Sequence, residues 1–293
     1  MAISLGGGGS ASVINEVVYL NSTENLITLA DGRVYLKGGV AETTIASYPD
    51  ATTTFGYQGT TFSVSQASQP AGLAYDGSHL FVLDRSSTPA VKKYTTAGAY
   101  VTSYTVGDAG SDTQTSGIVW DGTNFWIVNA SQDRVYKYNS SFAYQNVNFS
   151  TASQISTQPR GIAFDGTYLW ICSDSTTTSR AYKYNTSGVY QNETFHVGNQ
   201  ELYPWGITWD GSYFWLVGNG AKKANKYTAA GVYTGLNFSF DSSVYSTGIV
   251  KVGTDFYILD YSGQAIRKYP PQILFDSNNT AVAGVGQNYM RIK

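Results

Sequence analysis

Apolar residues in this chain fall in short runs separated by turn-forming residues, with no helical spacing between them. In Gln158 to Val197 the run Gly161-Ile162-Ala163-Phe164 is followed by Asp165-Gly166, a dipeptide that tolerates the positive φ angles of a tight hairpin. The return run, Tyr168 to Cys172, is apolar at every position, which predicts an inner strand covered on both faces. A polar loop, Ser173 to Ser179, leads to the alternating Arg180-Ala181-Tyr182-Lys183-Tyr184, and Asn185 to Gly188 turns again into Val189 to Val197. The unit predicts four antiparallel strands.

This unit is written five times, opening at Gly72, Gly117, Gly161, Gly206 and Gly248, with spacings of 45, 44, 45 and 42 residues. Its hairpin recurs as Asp76-Gly77, Asp121-Gly122, Asp165-Gly166 and Asp210-Gly211, and degenerates to Val252-Gly253-Thr254-Asp255 in the last copy. Four strands at this period predict the blade of a β-propeller, so the fold class is all-β, with the propeller over residues 55–270.

The two ends of the propeller complete each other. Tyr57 to Phe62 has the five-residue step of the fourth strands at Tyr144 to Phe149, Tyr190 to Phe195 and Tyr233 to Phe238, yet no blade precedes it. The fifth copy stops after three strands at Pro270-Pro271, and proline cannot continue a ladder. The expectation is a five-bladed ring closed by an N-terminal strand. A six-bladed ring recruiting residues 12–50 is the alternative.

Ahead of the ring, Gly6 to Gly9 reads as a flexible arm, and Val17 to Leu20, Asn25 to Ala30 and Arg33 to Lys37 read as short strands, the last two joined at Asp31-Gly32. Residues 1–50 are expected to form a small β anchoring segment, and the tail, residues 271–293, to pack with it.

Composition narrows the partners. At 42% hydrophobic, 13% charged and a net charge of −2, the chain has material for a large core and no basic stripe, so neither nucleic acid nor membrane insertion is expected. The start lacks a basic region followed by a long apolar one, so no signal peptide is expected. Cys172 is the single cysteine and reads as a small core residue. His79 and His196 are the only histidines and stand in different structural positions, which supports neither a metal cage nor a Ser-His-Asp arrangement. No catalytic residue, metal or cofactor is expected.

In a four-stranded blade, the turns joining strands one to two and three to four share one face of the disc. The two-to-three loops and the links between blades share the other. The first face carries near-identical turns. The second varies, through the loops Asp84 to Pro89, Asn129 to Asp133, Ser173 to Ser179, Gly218 to Lys223 and Asp260 to Gln264, and through Ala71, Ser116, Arg160, Trp205 and Thr247 before the opening glycines. Positions released from packing diverge between copies, so the variable face is the candidate binding face. Its ligand-binding candidates are Trp205, Arg160, Asp84, Arg85, Asn129, Asp174, Asn219, Asp260 and Tyr261. Trp205, with Arg160 nearby, either stacks on a sugar or holds an acidic group, or else it plugs the channel. Asp84, Asp174 and Asp260 either bind a hydroxyl-rich ligand or a cation, or accept backbone N–H groups in turns. The other tryptophans, Trp120, Trp126, Trp170, Trp209 and Trp215, read as blade-to-blade core.

The unit PRGIAFDGTYLW with AYKYNTSGVY resembles the NHL-type and related propeller repeats, whose members bind protein, nucleic acid or ligands on one disc face. The aromatic second strand and the missing basic face depart from RNA-binding members. The N-terminal MAISLGGGGSAS, INEVVYL and DGRVYLKGG, with the ending QNYMRIK, resemble virion proteins of tailed bacteriophages, particularly tail proteins. That resemblance implies a virion protein made in the host cytoplasm and attached through its N-terminal segment to other virion proteins, in multiple copies. It would display a non-enzymatic propeller to a bacterial surface glycan or protein. The alternatives are a capsid- or tail-decorating adaptor that binds other virion proteins, and a carbohydrate-active enzyme, which would need a convergent carboxylate pair.

Overall fold

The computed structural model describes residues 26–28, 34–37, 53–57, 59–106, 114–155, 157–175, 179–201, 203–275, 281–282 and 289–291. Among these, every regular element is a β-strand. The chain divides into two compact units, Gly59–Lys268 and a smaller one from Met1–Gln58 with Tyr269–Lys293.

The larger unit is a ring of five four-stranded antiparallel sheets. The first blade is Pro70–Tyr75, His79–Asp84, Ala90–Thr95 and Tyr100–Thr105. The second is Thr115–Trp120, Phe125–Asn129, Arg134–Tyr138 and Tyr144–Ser150. The third is Gln158–Phe164, Leu169–Asp174, Arg180–Tyr184 and Tyr190–His196. The fourth is Pro204–Trp209, Tyr213–Gly218, Lys223–Thr228 and Tyr233–Ser239. The fifth takes Ser246–Val252, Asp255–Asp260 and Ala265–Tyr269 from the end of the chain and Thr61–Ser63 from its start, with Phe62 opposite Ile266. The ring has five blades, not six, and an N-terminal strand closes it.

The first strand of each blade lies against the first strands of both neighbours, the fifth against the first, so these five line the channel. Their opening glycines meet there. A Cβ on Gly161 would stand 2.9 Å from the Trp205 carbonyl oxygen and 3.1 Å from the Gly206 Cα, and one on Gly206 would stand 3.0 Å from the Gly248 Cα. Only a residue without a side chain lets the backbones converge this closely. The girdle leaves about 10 Å³ of free space and separates two mouths.

The second strands are buried along their length, as their unbroken apolar runs require. Each Asp-Gly turn then ties into them. Gly166 holds φ +98°, while Asp165 Oδ1 accepts the Thr167 and Tyr168 N–H groups at 2.9 and 2.7 Å. Asp165 Oδ2 accepts the Trp170 indole N–H at 2.7 Å, and the same bond joins Asp121 to Trp126 and Asp210 to Trp215. Trp170 packs on Phe195 of its own blade and Phe214 of the next, and Trp215 on Phe238 and Phe256 in the same manner. These three tryptophans are blade-to-blade core.

Fourth-strand phenylalanines press on the neighbouring blade's last turn. Phe149 stands where a Cβ on Gly188 would fall, Phe195 does so for Gly231, and Phe62 for Gly98. Phe62 thus does for the fifth blade what its counterparts do, so the closing strand is an integral blade edge. In the second blade Phe142 replaces the glycine, at φ +59°, and the neighbour is Tyr104, with ring centroids 4.9 Å apart. Cys172 is fully buried, and that burial pushes its thiol pKa up.

In the smaller unit, Leu26–Thr28, Val34–Lys37 and Tyr289–Arg291 form one three-stranded sheet, and Thr53–Phe55, Pro271–Phe275 and Ala281–Val282 another. Both sheets join N-terminal strands to tail strands. The Gly6 to Gly9 arm and the Val17 to Leu20 strand lie outside the described residues.

Candidate ligand-binding face

Each second strand ends in two successive positions with different tasks. The first of them holds Asp84, Asn129 and Asp260, all buried. Asp84 Oδ1 accepts the N–H groups of Gln69 and Ser86 at 2.9 and 3.2 Å. Asn129 Oδ1 accepts those of Ser131 and Gln132, both at 3.1 Å. Asp260 accepts the Tyr245 N–H, the Ser262 hydroxyl at 2.7 Å and the Arg267 guanidinium at 2.9 and 3.1 Å. One oxygen each of Asp84 and Asp260 thus caps a backbone N–H, Asp260 Oδ2 pairs with Arg267, and Asp174, the third carboxylate of that set, pairs with Arg160.

Burial alone would raise the Asp260 carboxyl pKa, but the Ser262 hydroxyl, the Tyr245 N–H and the Arg267 guanidinium outweigh it and hold the carboxyl below its ordinary value. A carboxyl depressed on folding adds stability above its unfolded pKa of about 3.9, and that stability is lost as pH falls through the folded value. Asp260→Asn is expected to cost about 1–3 kcal/mol at neutral pH. The deficit relative to the parent should shrink below about pH 4, as read from thermal melts across the acid range.

The next position along the chain holds Arg85, Asp174, Asn219 and Tyr261, with Ala130 in the second blade. Around Trp205 these residues meet others from the incoming links. The Arg160 guanidinium lies 4.5 Å and the Arg85 guanidinium 5.1 Å from the Trp205 ring centroid. Arg85 also lies 5.4 Å from the Tyr261 ring, and Tyr245 packs edge-on against Trp205 at 5.6 Å and beside Tyr261 at 5.6 Å. Arg160 Nε donates to Asp174 at 3.1 Å, and its second nitrogen donates to Gln158. Among the described residues, Arg85 has no carboxylate partner.

The groups sense one another. Burial lowers the Arg160 pKa, Asp174 raises it, and the like charge of Arg85 lowers it again. Burial raises the Tyr245 hydroxyl, while both guanidinium groups draw it down. The indole of Trp205 is 9% exposed and borders the glycine girdle, so it floors this mouth as well as facing the two cations. Asn219 stands apart from the cluster's centre, accepting from Lys222 Nζ at 2.5 Å, and Lys222 also donates to the Val244 carbonyl at 2.8 Å.

Two contributors were absent from the sequence candidates. Tyr245 is one, and a signal for it exists: three residues before the opening glycines the chain reads Gln69, Gln114, Gln158, Tyr203 and Tyr245. Glu201 is the other. It is buried and accepts the N–H groups of Tyr203, Gly220 and Ala221 at 3.0, 2.9 and 3.0 Å, fixing the fourth blade's loop.

Chemically, a guanidinium with no carboxylate partner among the described residues, beside the half-buried Tyr245 and Tyr261 rings, can take a carboxylate or sulfate and stack the ring that bears it.

No family model matches the chain, and no curated protein matches it. Solved structures do share its architecture. Glutaminyl cyclase from Myxococcus xanthus superposes with a TM-score of 0.59 at 10% identity, over 78% of this chain and 98% of that one. Aldose sugar dehydrogenase from Streptomyces coelicolor gives 0.48 at 10% identity, over 76% and 100%. Virginiamycin B lyase from Staphylococcus aureus gives 0.45 at 13% identity, over 79% and 87%. At such identities the likeness shows the propeller fold alone.

It also corrects the expectation that the chain is not an enzyme. The glutaminyl cyclase carries an activity on a ring of this kind, so the architecture gives no ground for excluding catalysis. The physical reason is that activity resides in a few side chains grafted on a fold and leaves no mark on the repeat that builds the blades.

Proposed function

We propose that the ring binds an acidic, ring-bearing ligand, an acidic sugar unit of a surface glycan, at the mouth floored by Trp205. The observation that carries this reading is Arg85, a cation with no carboxylate partner among the described residues, held 5.1 Å from the Trp205 ring and 5.4 Å from the Tyr261 ring. Arg160 is neutralised by Asp174 and sets the indole; Arg85 remains to meet the ligand's anion. On this reading, and as the N-terminal resemblance to tail proteins implies, the glycan belongs to a bacterial surface and residues 1–50 attach the ring to other virion proteins.

Calorimetry on the full chain with a uronate-containing oligosaccharide and its neutral counterpart tests the reading. The acidic form should bind better, and Arg85→Gln should weaken it about ten- to a hundredfold, the loss of one charge-assisted hydrogen bond. The melting temperature should not change. Equal binding of both sugars, or an Arg85→Gln variant that binds like the parent, would sink the idea. Chromatography of the sugar recovered from the same samples reads any turnover.

A further inference from the structure

The opposite mouth of the channel, on the side of the Asp-Gly hairpins, holds a cavity of about 130 Å³. Its rim is one repeat position, three residues after each opening glycine, occupied in blade order by Tyr75, Trp120, Phe164, Trp209 and Lys251. All five are half-buried, so Trp120 and Trp209 depart from the core placement that their sequence pattern suggests. Their orientations are fixed by packing, Trp120 on Phe125 and Trp209 on Phe214 at 4.6 Å each, and the Tyr75 hydroxyl is held by the Gly77 carbonyl at 2.7 Å.

The hydrogen-bond pattern is what distinguishes this rim. Trp126, Trp170 and Trp215 each give their indole N–H to an aspartate. Among the described residues, Trp120, Trp209 and Lys251 give theirs to no protein acceptor and make no ion pair. One cavity is therefore bordered by three groups that can only donate, and by aromatic faces.

We propose that this cup is a second binding site, specific for a small aromatic carboxylate. At about 130 Å³ the open cup has room for one six-membered ring, the size of cavity that holds benzene elsewhere. Aromatic walls select a flat ring. The lysine ammonium and two indole N–H groups, which bond no protein acceptor among the described residues and are left to solvent, favour an anion over a neutral ring, because a carboxylate can accept from all three and answers the lysine charge. The glycine girdle stands between this cup and the Trp205 mouth, so the two sites are independent.

The test uses the full chain labelled with nitrogen-15 and titrated with benzoate, with benzyl alcohol and acetate as the ring-only and charge-only controls. The indole N–H signals of Trp120 and Trp209, assigned from the Trp120→Phe and Trp209→Phe variants, should shift saturably with benzoate and barely with either control. Lys251→Met should weaken benzoate about tenfold, the loss of roughly one charged contact, with the melting temperature unchanged. Three outcomes overturn the proposal: no saturable shift in the parent, benzoate and benzyl alcohol binding alike, or shifts at the Trp205 indole in place of these two. Unaltered benzoate binding by Lys251→Met also overturns it.

Discussion

Trp170→Ala is expected to destabilise the ring by about 3–5 kcal/mol, the range for removing a fully buried aromatic side chain. The indole is 2% exposed, and its neighbours offer no route to collapse: Phe195 is held under Gly231 and Phe214 packs at a tilt against Trp209. Its removal also leaves Asp165 Oδ2 without its 2.7 Å partner. Denaturant unfolding of parent and variant measures the difference. Asp165→Ala should cost less, about 1–3 kcal/mol, since it removes turn-capping and indole hydrogen bonds without opening a cavity in the core. A Trp170→Ala loss under 1.5 kcal/mol would mean that the third and fourth blades repack, against the close-packed interface described above.

Gly117→Ala is the second large effect. Its new methyl would overlap the Arg160 carbonyl oxygen and stand 3.2 Å from the Ile162 nitrogen, both of them backbone atoms of the next blade's innermost strand. Backbone cannot swing aside as a side chain does, so the ring must dilate, at a cost of about 3 kcal/mol or more. For a unit of this size, that corresponds to a fall in melting temperature of roughly 6–12 °C. Gly166→Ala is the matched comparison. It has φ +98° and open space around it, so its cost is confined to backbone strain of about 1 kcal/mol. Calorimetric melts of the two variants should separate clearly; equal losses would refute the girdle as the constraint on the ring's centre.

Much of the architecture could be read from local signals. Asp-Gly turns, unbroken apolar return strands and a glycine every 42 to 45 residues each state a backbone requirement at the residue where it applies. Even the closure was legible, because the Tyr57 to Phe62 step repeats a fourth-strand feature: Gly59, Asn146, Asn192 and Gly235 all hold positive φ two residues after the tyrosine. The binding face was legible only in part. Arg85 and Arg160 were candidates from divergence between copies. Asp84 and Asp260 diverge from other copies too, yet Asp84 Oδ1 accepts backbone N–H groups and Asp260 is engaged by the Tyr245 N–H, the Ser262 hydroxyl and Arg267.

The sequence by itself determined the repeat, its five copies and which face varies, because strand, turn and close-approach preferences are properties of a few adjacent residues. That the ring closes on five blades and not six was decided by the tertiary structure. Tertiary structure decided which side chains share a mouth. Neighbouring residues on a strand point to opposite sides, so Asp84 caps a turn while Arg85, the next residue, faces Trp205 from a blade more than a hundred residues away in the chain. Trp120 and Trp126 look equivalent in the chain, but one belongs to a strand that lines the channel and the other to a strand sandwiched between blades. The aspartate bond to Trp126 is local, five residues along the same hairpin. Only the closing of the ring buries that indole between blades and leaves Trp120 at a mouth, because which blades pack together is fixed in space and not by separation along the chain.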